Sequence, residues 1–213
     1  MSKLRGLLLT FEGTEGAGKT SNLQHAKALI EASGRTVIVT REPGGTKVGE
    51  KIREVLLNPD LPAMHADTEL LLMFASRAEH YQHKILPALT AGSWVLCDRF
   101  TDASFAYQGG GREIDVRRIE ALENWVLAKF KADRTFLFDL PVSIGLSRAK
   151  ARGAADRIEL EEVAFFERIR QCYLLRAEKE PARFSLIDAA QSLEVVSDQV
   201  GAAVDELLTK SVR

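Results

Sequence analysis

The eight residues Gly13-Thr14-Glu15-Gly16-Ala17-Gly18-Lys19-Thr20 fit the spacing G-x-x-x-x-G-K-[ST] in full. The glycines let backbone N–H groups turn inward, so the loop forms a cradle for phosphate oxygens. A helix that starts near Lys19 adds its positive end to that cradle. Lys19 is placed to reach the β- and γ-phosphates of a bound triphosphate, and the Thr20 hydroxyl to hold Mg²⁺. One lysine is too little charge to draw off a terminal phosphoryl group, so other cations must converge on the loop.

Asp98 closes the apolar run "SWVLCD" and is followed by Arg99. A carboxylate at a strand tip caps a helix over 101–108 or holds Mg²⁺; the phosphate-binding loop and the adjacent Arg99 favour the metal. Arg41 and Arg53 in "TREPGGTKVGEKIREVLL" read by themselves as a loop-organising ion pair and a solvated helix charge. The helix "LLLMFASRAEHYQHK" carries Met73 and Phe74, ordinarily core residues. Arg77 follows them at helical spacing, which suits a flat base stacked on Phe74 with its polar edge near the guanidinium. His80 and His83 have no third metal ligand nearby and read as surface residues. In "SRAKARGAADR", Arg148, Lys150, Arg152 and Arg157 face one acid, Asp156. A helix dipole accounts for Arg148 and Lys150. It accounts less well for basic residues continuing past Gly153, which makes this segment a source of further positive charge for the loop.

These residues need a scaffold. Apolar runs at 6–11, 36–40, 93–98, 135–140 and 184–188 suit strands buried on both faces. Segments of helical period lie between them, among them 20–32, 68–91, 115–129 and 161–178. Strand alternating with helix gives an α/β domain with a parallel sheet and ligands beyond the carboxyl ends of the strands. The loops 12–20, 41–46 and 98–112 fall at those ends. The N-terminal "GLLLTFEG" leads straight into the glycine loop and reads as a first strand rather than a signal peptide.

The 213 residues imply one domain, with a lid segment at about 148–158. A formal net charge of -1 argues against a nucleic-acid footprint, and no run approaches membrane-spanning length. Cys97 and Cys172 have no metal-ligand spacing and suit reduced thiols in a cytoplasmic protein.

Together, "FEGTEGAGKT", "REPGGT", "DRF" with "AYQGGGR", and "ARGAADRIE" resemble the bacterial thymidylate kinases, over nearly the whole chain. The resemblance implies a five-stranded P-loop kinase fold, Mg-ATP as donor, dTMP as acceptor and a homodimer. It implies that Arg53 and Arg99 hold the dTMP phosphate, and that Phe74 stacks on thymine with Arg77 at the base O4. Ser104 and Gln108 would meet the base edge, Tyr107 would exclude a ribose 2′-OH, and Glu15 would bind the 3′-OH. Lys19, Arg99 and Arg152 would be catalytic. In many relatives the stacking Phe lies four residues before the Arg, where this chain has Met73. A kinase for another nucleoside monophosphate or a deoxynucleoside is the nearest alternative. A nucleotide-dependent switch lacks an N-K-x-D element, and a DNA-binding ATPase fits the charge poorly.

Overall fold

The strand that carries the phosphate-binding loop lies at the centre of the sheet. In the computed structural model, which describes residues 5–151 and 156–210, β1 (Leu8–Glu12) is buried along its whole length. Around it run β2 (Val37–Arg41), β3 (Trp94–Asp98), β4 (Arg134–Asp139) and β5 (Phe184–Asp188), all parallel in the order β2-β3-β1-β4-β5. The order reverses at β1, between β3 and β4. That reversal opens a crevice beyond the carboxyl ends of the strands.

Alternation along β1 divides the core. Leu9 and Phe11 pack with Phe136, Phe138, α1 (Lys19–Ala32) and α9 (Leu193–Lys210) on one face. The Phe11 ring stacks on Phe136 at 5.0 Å. Leu8 faces the other way, with Val95, Cys97, Tyr81, Ile85 and Leu89. Full burial of such side chains is worth about 1.5–3 kcal/mol each, which fixes the sheet as a rigid base for its loops.

The remaining helices are α2 (Lys47–Leu57), α3 (Ala66–His80), α4 (Leu86–Thr90), α5 (Thr101–Ser104), α6 (Val116–Leu127), α7 (Val142–Lys150) and α8 (Val163–Lys179). The helix expected over 68–91 is interrupted. Tyr81–Ile85 winds as a π turn, with Leu86 N–H reaching back to the Tyr81 carbonyl. Pro87, in the first turn of α4, has no N–H and crowds the preceding turn, so the helix widens there. Residues 98–112, expected as a loop, are largely helical: α5 runs into a π segment over Phe105–Gly111. Arg112 N donates to the Tyr107 carbonyl at 2.9 Å across that wide turn. Among the described residues no helix is long and apolar enough to cross a membrane.

Candidate active site

The phosphate-binding loop leaves β1 through Gly13 (φ 133°) and turns again at Gly16 (φ 68°). A Cβ on Gly16 would stand 2.0 Å from the Gly145 carbonyl, so the loop is pressed against α7. Lys19 opens α1 and is buried. Its Nζ donates to the carbonyls of Thr14 at 2.8 Å and Gly13 at 3.1 Å. Burial, and then the nearby Arg99 charge, push its pKa from 10.5 down to about 8. Among the described residues its hydrogen bonds go to neutral carbonyls, so an anionic ligand would stabilise it further.

Arg99 stands at the tip of β3 in the left-handed region, at φ 66°. A non-glycine residue adopts that conformation at a cost, and its neighbours hold it there. Arg99 N donates to the Phe11 carbonyl at 3.0 Å, and Phe100 N to Glu12 Oε1 at 2.6 Å. Its guanidinium reaches across to Gly13 O at 2.7 Å and Glu15 Oε1 at 2.8 Å, and lies 4.7 Å from the Tyr107 ring centre. Tyr107 OH also donates to Glu15, at 2.7 Å. Glu15 is therefore gripped from two sides at the mouth of the loop. Asp98 Oδ1 is buried with no hydrogen-bond partner. An orphaned carboxylate oxygen here suits a metal and gives no support to a capping role.

A cavity of about 340 Å³ opens beside these groups. It is lined by Glu15 to Ser21 and Asp98, together with Arg53, Met73, Arg77, Ser104, Tyr107 and Gln108. Arg53 Nη1 donates to Pro43 O at 3.0 Å, and burial together with Arg41 lowers its pKa. Arg77 is buried and fully directed: Nε to Glu42 at 2.7 Å, Nη1 to Ser104 Oγ at 2.9 Å and Nη2 to Phe100 O at 3.0 Å. Arg41, as expected, pairs with Glu50 at 2.8 Å.

Two expectations need correction. Phe74 does not line the cavity. It is 2% exposed, packs with Leu70, Phe105, Ile114 and Ile119, and has the Arg77 guanidinium 4.6 Å from its ring centre. Met73, one helical step away, faces the space instead. His80 is not a surface residue: it is fully buried, with Nδ1 donating to Glu42 Oε1 at 2.9 Å and Nε2 paired with Thr40 Oγ1 at 2.7 Å. His83 is exposed. Arg157, counted with the basic residues of the lid, is tied elsewhere: Nε donates to Leu56 O at 2.8 Å and Nη2 to Glu69 at 2.6 Å. Arg148 remains near the loop and donates to Ala189 O at 3.0 Å. The Asp156 carboxylate accepts from the N–H groups of Ile158 and Glu159. Arg152, the expected closing charge, lies outside the described residues.

Comparison with known proteins agrees with the geometry. The family model for thymidylate kinase matches residues 11–200. A thymidylate kinase of Alcanivorax borkumensis is 55% identical over 204 residues, covering 96% of this chain and 98% of that protein. One from Pseudomonas putida is 53% identical over 207 residues, covering 97% and 99%. The crystal structure of thymidylate kinase from Ehrlichia chaffeensis superposes with a TM-score of 0.75 at 30% identity, covering 96% of this chain and 99% of that one. The chain belongs to the thymidylate kinase family.

As a thymidylate kinase family member it carries buried acids that the motifs did not single out, and three of them stand next to site residues. Glu12 accepts from Phe100 N, next to Arg99, while Glu42 lies behind Arg77 and Glu69 behind Gln108. Each is an acid next to or within an apolar run, in "LLLTFEG", "VIVTREPGG" and "TELLLMF". That placement is the only sequence signal they give.

Proposed function

We propose that this chain transfers the γ-phosphoryl group of ATP to dTMP, giving dTDP for dTTP synthesis. One observation carries the reading: the phosphate-binding loop and the polar residues that suit a pyrimidine nucleotide line one continuous cavity.

The triphosphate lies against the backbone N–H groups of residues 13–20 and the start of α1, with Lys19 turning from its two carbonyls to the phosphates. Arg53 and Arg99 hold the acceptor phosphate. Each guanidinium lines the cavity and has N–H groups beyond those already engaged, which are free to donate to a phosphate. Glu15 accepts from the sugar 3′-OH, Tyr107 fills the space of a 2′-OH, and Met73 provides the apolar contact to the base. Arg77 donates to O4, with Ser104 and Gln108 along the base edge. Held in line, an acceptor phosphate oxygen bonds to the γ-phosphorus as its bond to the ADP oxygen breaks.

Thr20 and Asp98 suit Mg²⁺, since Thr20 is exposed and lines the cavity and Asp98 Oδ1 is unsatisfied. These two residues would hold the ion, which would supply positive charge against the negative charge that develops on the phosphoryl group. Residues 148–158 act as the lid of a single domain, with Arg152 as its closing charge. A lid also excludes water, which otherwise competes with dTMP. The reading includes a homodimer in the cytoplasm, on the strength of the family likeness.

The test is transfer of γ-labelled phosphate from ATP. Label recovered in dTDP, dependent on dTMP and lost in Lys19→Ala, is the expected result. Label released as inorganic phosphate with dTMP present would overturn the proposal.

A further inference from the structure

Glu69 stands on α3, four residues before Met73, and is 1% exposed. Its Oε1 accepts from Gln108 Nε2 at 2.9 Å and Arg112 Nε at 3.3 Å. Its Oε2 accepts from Arg112 Nη2 at 3.1 Å and Arg157 Nη2 at 2.6 Å. Burial works against its charge, but the hydrogen bonds of Arg112, Gln108 and Arg157 outweigh burial and lower its pKa. At neutral pH the group is an ionised carboxylate, which only accepts.

A primary amide beside such a group has one stable orientation. The rotated amide would set its Oε1 lone pairs against a carboxylate with no proton between them, in a buried setting where repulsion is poorly screened. Gln108 is itself 1% exposed and borders the cavity, so water cannot relieve that clash. With Nε2 committed to Glu69, the amide oxygen is the atom left for the cavity.

We infer that Glu69 fixes Gln108 as a hydrogen-bond acceptor toward the bound base, so that the pocket selects a ring N–H over a bare ring nitrogen. The inference rests on the reading of dTMP as acceptor. Thymine and uracil present N3–H to such an oxygen, whereas cytosine presents an N3 lone pair. Arg77 nearby donates, which suits O4 and opposes the cytosine amino group. Glu69 touches neither substrate, so it is a positioning residue.

The test compares kcat/KM for dTMP, dUMP and dCMP in wild type, Glu69→Gln and Glu69→Asp. An amide at 69 pairs with Gln108 in either orientation, so the dTMP/dCMP ratio in Glu69→Gln is expected to fall about tenfold or more. The dTMP/dUMP ratio is expected to hold, because both bases carry N3–H. Glu69→Asp keeps an acceptor-only group and is expected to keep both ratios, even with lower turnover. The double variant Glu69→Gln/Arg157→Met removes a guanidinium left without its counter-ion, and is read the same way if the single variant does not fold. An unchanged dTMP/dCMP ratio in a folded Gln variant would overturn the inference. So would a parallel fall in both ratios, which reports general loosening. A wild type that prefers another acceptor to dTMP would instead overturn the functional reading, before any variant is made.

Discussion

Arg77 Nε donates to Glu42 Oε2 at 2.7 Å, and neither side chain is more than 3% exposed. Glu42 uses its other oxygen for His80, so the cation placed to meet the base is held from behind by a buried carboxylate. Removing one partner of a buried ion pair leaves the other uncompensated, at about 3–5 kcal/mol. Glu42→Ala should lose that much in urea denaturation. Glu42→Gln should fold better and raise KM for dTMP about tenfold, with kcat little changed. A KM that stays at the wild-type value would show that Arg77 needs no anchor.

Met73 and Phe74 should separate cleanly by readout. Phe74 packs inside the helix cluster, so Phe74→Ala should cost about 3–5 kcal/mol in stability. Met73→Ala should cost less, because Met73 is only partly buried, and should raise KM for dTMP. The reverse pattern would return the base to Phe74.

Tyr107 fills space and also holds Glu15 through its hydroxyl. Tyr107→Phe should therefore keep the preference for deoxyribose, since bulk does the excluding, while raising KM about tenfold through a loosened Glu15. Tyr107→Ala should admit the ribose analogue. An unchanged deoxyribose preference in the alanine variant would place the gate elsewhere.

Glu12 predicts a pH effect on stability. Burial, and then the charge of Asp102, raise its pKa from 4.5 to about 8. Asp102 keeps its charge because Arg176 and Arg183 pair with it. A carboxyl whose folded pKa is raised favours the fold at low pH. That contribution is full below 4.5 and is lost as pH rises to about 8. Wild-type stability should thus fall across this window, relative to Glu12→Gln, by up to about 1.4 kcal/mol per pH unit. Urea midpoints at several pH values measure the difference, and parallel curves would contradict it.

The scaffold was legible because its signals are local. Each strand is a short, mostly apolar run, and the glycine loop names its own strand and helix. The choice between Met73 and Phe74 was not legible, since neighbours on a helix face directions about 100° apart and only tertiary packing sets the rotation. His80 was misread for the same reason: its partners Thr40 and Glu42 come from the β2 end, about 40 residues away. The buried acids stayed hidden because a charge in a sequence ordinarily marks the surface. Glu12 finds Tyr173, 161 residues along the chain, at 2.7 Å, and no spacing rule joins them. The π turn over 105–111 depends likewise on packing against α8, though it sets where Tyr107 and Gln108 stand.

The most direct test of the account is the acceptor panel: kcat/KM with saturating Mg-ATP for dTMP, dUMP, dCMP, AMP and thymidine. The account predicts dTMP first, ahead of dUMP by about 10- to 200-fold, the worth of one methyl in an apolar pocket. Thymidine should be turned over poorly, because Arg53 and Arg99 would have no phosphate to hold. AMP or dCMP outperforming dTMP, or equal efficiency with thymidine, would contradict it.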